Sequence, residues 1–516
     1  MNKKLSFLLA LLMLASSVTA CAESKDNNAD TPETTGGVVS RAAAAPESET
    51  EEETENPYYD GYVDPFADTD LNGETLSIYT SVDQRGTLTS SNILIEGPEE
   101  ITGDLAPDAA YQRNLDVMDM LNVDIQFAQA SYSYDQVANH IKTIIMAGDS
   151  GYDVIVNDIY GLAPLVPDGL FHNVNKAANF DFDNPWWYND FMSDLEMVSG
   201  KRYILAGDFF IDMLRCSHCL IMNKDMYGDL YGDPEDVYAA VLNKEWTMDY
   251  MTNLLEGAYI DLNGNSKKDD ADQFGFTVFE RWGGSIPWIV SADPGFIERN
   301  EDGTPEITVN NERSILLVEK LATIFNNDAS SMNMFSNDEV KTENVFFEGR
   351  SLFLGYQRLG SLENANFRDT DIEFAVLPYP MLDENSDGYV TSTHDTAELG
   401  FIPSSTPVDR LGFISTVVEV LCRETYTQVL PTYYESSLKV KYSRDQSSAQ
   451  MLDIIHDNFD NGFALAYSNG LSGIFLLTIS DATDPSSAGF ATLAKTKGKV
   501  AQKLLDKRVE QVNELE

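Results

Sequence analysis

Between Gly73 and Asp158 two kinds of segment alternate, and that alternation limits the fold more than any other feature of the chain. "TLSIYT" reads as a short strand, and "DAAYQRNLDVMDMLNV" carries apolar residues at helical spacing before running into "VDIQFAQA", a second strand. "YDQVANHIKTIIMAGDSG" is another amphipathic helix, closed by Gly151, and "YDVIVND" is a continuous apolar strand of the kind buried on both faces of a parallel sheet. Strand, helix, strand, helix, strand is α/β organisation. In such sheets ligands sit beyond the carboxyl ends of strands, which puts the loops after Thr80 and after Asp158 on one rim.

The 516 residues suffice for two or three domains with real cores, and 43% hydrophobic content is that of a globular chain. Asp and Glu outnumber Lys and Arg by 84 to 34, a net charge of −50 that repels polyanions and excludes nucleic-acid binding. The same charge disfavours adhesion to anionic lipid, so membrane attachment requires an anchor. "MNKK" is a basic start, "LSFLLALLMLA" an apolar core too short to span, and "SVTAC" places Val18, Thr19 and Ala20 before Cys21. This resembles the lipobox of bacterial lipoproteins, which implies that Cys21 is acylated and becomes the new N-terminus; the alternative is an ordinary signal peptide that ends beside a cysteine. Residues 1–20 are then a signal peptide, and residues 21–72 an acidic spacer with almost nothing to bury. The cysteines of "CSHC", Cys216 and Cys219, and Cys422 read as buried thiols, because no second ligand pair follows.

"DLNGNSKKDDAD" sets oxygen-bearing residues at the spacing of a calcium loop: Asp261, Asn263, Asn265, the Lys267 carbonyl, Asp269 and Asp272. The sixth position is Ser266 where glycine is usual, and the last is Asp in place of Glu. One structural Ca2+ and a merely solvated acidic turn are both compatible with the pattern. A single loop cannot make a paired sensor.

Several later segments, taken in order, resemble the extracellular solute-binding proteins of bacterial ABC importers, in the carbohydrate-type class. They are "YDVIVNDIYGLAPLVPDGLFHNVN", "GKRYILAGDFFIDMLRCSHCLIMNKDM", "EWTMDYMTNLL", "FFEGRSLFLGYQRLGS", "IEFAVLPYPML" and "LGFIPSST". The calcium-like loop also resembles one that many members carry. The resemblance implies a two-lobe, periplasmic-binding-protein-like (type II) α/β fold whose lobes are joined by crossing strands and close on one ligand. Lobe 1 is expected over 73–206 and 394–440, and lobe 2 over 207–393 and 441–516, with crossings near Ala206, Thr393 and Lys441.

Sugars are held by aromatic faces and by planar polar side chains that bond hydroxyls in pairs. Rim positions supply both: Arg85, Asp158, Tyr160, Trp186, Trp187, Asp208, Trp282, Tyr356, Gln357, Arg358, His394 and Asp395. Trp246, beside a helix start capped by Thr247, reads as core. The resemblance implies a monomeric, lipid-anchored extracellular binding protein that hands a carbohydrate, an oligosaccharide by expectation, to ABC permease subunits. A peptide or other small solute is the alternative ligand, and a surface glycoside hydrolase the alternative of another class. No nucleophile elbow, metal-protease helix or phosphate loop is present in the sequence.

Overall fold

The strand β3 (Val154–Asp158) is buried at all five positions, as its unbroken apolar run requires. It lies in a four-stranded sheet of order β10-β3-β1-β2, with β1 (Glu74–Asp83), β2 (Val123–Tyr132) and β10 (Glu398–Phe401). β1 runs parallel to both neighbours, with Ile78 opposite Phe127 on one side and Val154 on the other; β10 is antiparallel to β3. The computed structural model describes residues 62–83, 93–132, 134–148, 151–301, 303–332, 334, 338–434 and 446–515. The signal peptide with Cys21, most of the acidic spacer, Arg85 and the crossing expected near Lys441 lie outside the described residues.

Helices cover this sheet by turning one face inward. Leu105–Leu121 buries Ala106, Ala110, Val117 and Leu121, and ends at Asn122 in the left-handed conformation (φ 48°). The same helix buries Arg113, whose guanidinium is satisfied by the carbonyls of Leu94 and Ile95 and the hydroxyl of Thr425.

A second sheet has the order β5-β8-β4-β9, from β5 (Phe274–Thr277), β8 (Ser351–Arg358), β4 (His218–Asn223) and β9 (Phe374–Leu377). β4 is antiparallel to β8 and β9, and β5 is parallel to β8. A two-stranded hairpin, β6 (Ile297–Arg299) with β7 (Pro305–Ile307), stands apart from both sheets. Trp246 is fully buried with its indole N–H on the Pro378 carbonyl at 2.9 Å, and Thr247 caps the helix Met248–Leu255. Cys216, Cys219 and Cys422 are buried and unpaired.

The chain passes from the first sheet to the second after Leu205, which bridges Gly400, and returns before β10. The two passages run side by side: His218 N–H donates to the Ser392 carbonyl at 2.8 Å, and His394 N–H to the Cys216 carbonyl at 2.9 Å. After residue 446 the chain is helical and touches both halves. Gly462–Tyr467 packs on Asn189–Asp194, which belongs with the first sheet. Leu476–Ala482 packs on Arg281–Ser291, which belongs with the second. No helix among the described residues is long and apolar enough to cross a membrane.

Candidate functional site

The ends of β3 and β8, the returning passage and the start of the helix Arg281–Ser291 meet at one junction. β3 ends in Asp158, whose carboxylate accepts the Gly161 N–H at 2.6 Å and so caps the next short helix. Tyr160, 36% exposed, donates its backbone N–H to the Asp395 carbonyl at 3.0 Å. His394 Nδ1 lies 2.9 Å from Thr396 Oγ1 and 3.2 Å from the Asp395 carboxylate.

Tyr356 occupies the middle of this junction with φ +60°, a left-handed conformation unusual for an aromatic residue. Such a residue costs about 1–3 kcal/mol and persists where its surroundings over-determine it. Here they do: its N–H donates to the Tyr379 hydroxyl at 2.9 Å, and its own hydroxyl lies 3.1 Å from His394 Nε2. Its ring is nearly parallel to Phe279 (7°, 6.3 Å) and to His218 (21°, 5.7 Å). The helix beyond comes close only because position 283 is glycine, where a Cβ would stand 2.7 Å from the Tyr356 hydroxyl. Glu280 caps that helix, its Oε1 accepting the Gly283 N–H at 3.2 Å, and Trp282 on the first turn is 38% exposed.

Arg358 ends β8 directly opposite His218. Its guanidinium is partly buried and makes no hydrogen bond or ion pair among the described residues. His218 is itself buried, with Nδ1 near Ser392 Oγ and Nε2 without a partner. Burial, reinforced by the Arg358 charge, drives its pKa down to about 3, so the ring is neutral. The junction therefore joins Asp158, Tyr160, Trp282, Tyr356, Arg358, His394 and Asp395 from the residues expected at the rim. It adds His218, Phe279 and Glu280, which sequence reasoning did not single out.

Four expected rim residues are elsewhere. Gln357 is 4% exposed and pairs with Cys219 inside the sheet, because strand alternation turns it away from the side of its neighbours. Trp186 and Trp187 are 3% and 5% exposed, and both indole N–H groups are consumed by the buried carboxylate of Glu419, at 2.8 and 2.9 Å. Their rings are not available for stacking on a ligand here. Asp208, 1% exposed, accepts from the Tyr188 hydroxyl at 2.7 Å and lies 3.3 Å from His456 Nε2. Burial opposes charge on His456, but hydrogen bonds and charge from Asp208 and Asp457 outweigh it and raise its pKa to about 10. A groove of about 200 Å³ runs beside this group, between Pro185–Asp190 and His456–Phe459.

The loop at Asp261 is a series of side-chain caps. Asp261 accepts the N–H of Gly264 at 2.7 Å and of Ser266 at 2.8 Å, and Ser266 holds the positive φ (58°) that its place in the pattern requires. Asn263 and Asn265 direct amide N–H groups at Asp269, which also takes the Ala271 N–H. Lys267 donates its N–H to Asn265. Asp272 is fully buried; one oxygen takes the Tyr259 hydroxyl at 2.8 Å, and the other, Oδ1, has no partner. Among the described residues no three carboxylate, imidazole or thiol groups converge on a point suited to an ion.

No family model matches the chain, and no curated protein matches it. Solved structures share its fold. One is an ABC transporter solute-binding protein from Thermotoga lettingae bound with α-D-tagatose, with TM-score 0.51 at 13% identity over 84% of this chain and 100% of that one. Another is an ABC substrate-binding protein from Listeria monocytogenes in complex with cycloalternan, with TM-score 0.50 at 12% identity over 84% and 100%. The chain has the two-lobe α/β fold of these binding proteins.

Proposed function

We propose that the protein is an extracellular solute-binding lipoprotein, anchored through Cys21, that captures an oligosaccharide and presents it to an ABC importer. The observation that carries this reading is the junction at Tyr356. A strained aromatic residue, the partly exposed Trp282 and Tyr160 and a guanidinium without a partner among the described residues meet there between two crossing passages. Partly exposed rings beside polar side chains suit the mixed apolar and hydroxyl surface of a sugar. The fold is shared with proteins solved with α-D-tagatose and with cycloalternan. Capture without catalysis is the simpler reading, since Asp158 and Glu280 are both engaged as helix caps. A thermal-shift panel of mono- and oligosaccharides tests it. A sugar at a hundredfold excess over Kd should stabilise the protein by about 2.7 kcal/mol. Trp282→Ala should weaken that sugar by about 1–3 kcal/mol, as for other stacked rings. Stabilisation by peptides alone, or breakdown products in the sugar mixtures, would replace this reading.

The loop at Asp261 is proposed to hold one structural Ca2+. The cap pattern of Asp261, the positive φ of Ser266 and the unpartnered buried oxygen of Asp272 support it. Asp261, Asn263, Asn265, the Lys267 carbonyl, Asp269 and Asp272 would be its ligands, and the ion would supply rigidity, not chemistry. Calcium at tenfold its Kd should add about 1.4 kcal/mol of stability. Asp261→Ala should abolish the increment and leave sugar affinity unchanged. A chelator without effect on the melting temperature excludes the ion.

A further inference from the structure

Among the described residues, each charged side chain of the Tyr356 junction has a hydrogen-bond or ion-pair partner except one. Asp158 is held by the Gly161 N–H, Glu280 by the Gly283 N–H, and Asp395 by His394. Below them Asp212 and Glu363 both meet Arg215 at 3.0 Å. Arg358 alone keeps a partly buried guanidinium with no hydrogen-bond acceptor among the described residues, while its charge reaches Tyr356, His218 and the buried Asp212. The adjacent His218 Nε2 is likewise buried without a partner. A guanidinium presents its donors as a planar fork, which a carboxylate satisfies with two parallel bonds and a cancelling charge. A neutral hydroxyl offers one bond and leaves the charge in place. A chain of net charge −50, with Asp158, Glu280 and Asp395 around the same junction, would nevertheless repel a polyanion.

We infer that the oligosaccharide carries a single acidic unit whose carboxylate lies against Arg358. This rests on the carbohydrate reading above and narrows it to a mono-uronic glycan. The probes are matched pairs, cellobiose with cellobiouronic acid and xylotriose with glucuronosyl-xylotriose, titrated calorimetrically in 0.15 M salt. The acidic member of a pair should bind roughly tenfold more tightly, the value of a charge-assisted contact. Arg358→Gln should bring the ratio within a pair close to one. Arg358→Lys, which keeps the charge but loses the fork, should leave an intermediate ratio and confirms that the site still folds. Neutral members binding as tightly as acidic ones, or a ratio that survives Arg358→Gln, overturns the inference and leaves the carbohydrate reading standing. Binding of no sugar in either series overturns both.

Discussion

Glu419→Ala is expected to destabilise the protein by about 3–5 kcal/mol, the cost of stripping the acceptor from a buried charged network. Glu419 is 2% exposed on the helix Leu411–Glu424. Its two oxygens receive the indoles of Trp186 and Trp187, the Asn184 amide at 3.0 Å and the Asp181 N–H at 3.2 Å. Burial raises its pKa, and those hydrogen bonds push back. Alanine leaves the two indole N–H groups buried without their acceptor and opens a void beside them. The damage should reach the first passage between the sheets. Trp187 packs against Gly207, where a Cβ would come within 2.7 Å of its ring. Glu419→Gln keeps the shape but turns an NH2 toward donors, so a smaller loss of about 1–2 kcal/mol is expected. Urea unfolding measures both. An Ala variant with an unchanged midpoint would mean that the indoles find other acceptors.

The Trp186–Trp187 pair also shows where the sequence stops being legible. "NPWWYND" looks like a rim loop because the residue that buries it lies more than 230 positions later. The only local trace is Glu419 itself, an acid inside the apolar run "LGFISTVVEVLCRE". The first sheet was readable because strands buried on both faces are continuous apolar runs, and helical spacing marks the segments between them. Gln357 could have been set aside by the same logic. Alternation along β8 places it opposite in direction to Tyr356 and Arg358. His218 and Phe279 had no such signal. They join the site through ring stacking on Tyr356 and a cross-strand register with Arg358, neither of which is local in sequence. Tyr356 is legible in the sequence as an aromatic at a strand end. Its positive φ, the stronger sign of a functional position, is visible only in the backbone.

Between pH 8 and pH 4 the stability of the protein should carry a share of about 2 kcal/mol, lost as pH rises, that Asp194→Asn removes. Asp194 ends the helix Asn189–Asp194, and its Oδ2 accepts the Phe463 N–H at 2.6 Å, tying the C-terminal segment to the first half. Burial raises its pKa to about 7 despite that bond, with Asp460 and Asp293 adding to the effect. The Arg299 charge offsets this only in part. Arg299 Nη2 instead bonds the carbonyls of Asp194 at 3.1 Å and Glu196 at 2.6 Å, at the carboxyl end of the helix. In the unfolded chain the carboxyl releases its proton near pH 4, and in the folded chain near 7. Between those values the native state holds more protons, so stability falls as pH rises through the window and is level above it. The displacement sets an upper bound of about 4 kcal/mol, and solvent at this partly exposed side chain lowers it to about 2. An asparagine can still accept the Phe463 N–H and carries no charge to penalise. Asp194→Asn should therefore be more stable than the parent at pH 8 and nearly equal to it at pH 4. Carboxylates that do not act on Asp194 contribute equally in both proteins and cancel in the comparison, while Asp460 and Asp293, which do, are relieved with it. Urea unfolding of both proteins at the two pH values measures the difference. Equal pH slopes, or an Asn variant weaker at pH 8, would show that Asp194 is ionised and well compensated in the folded state.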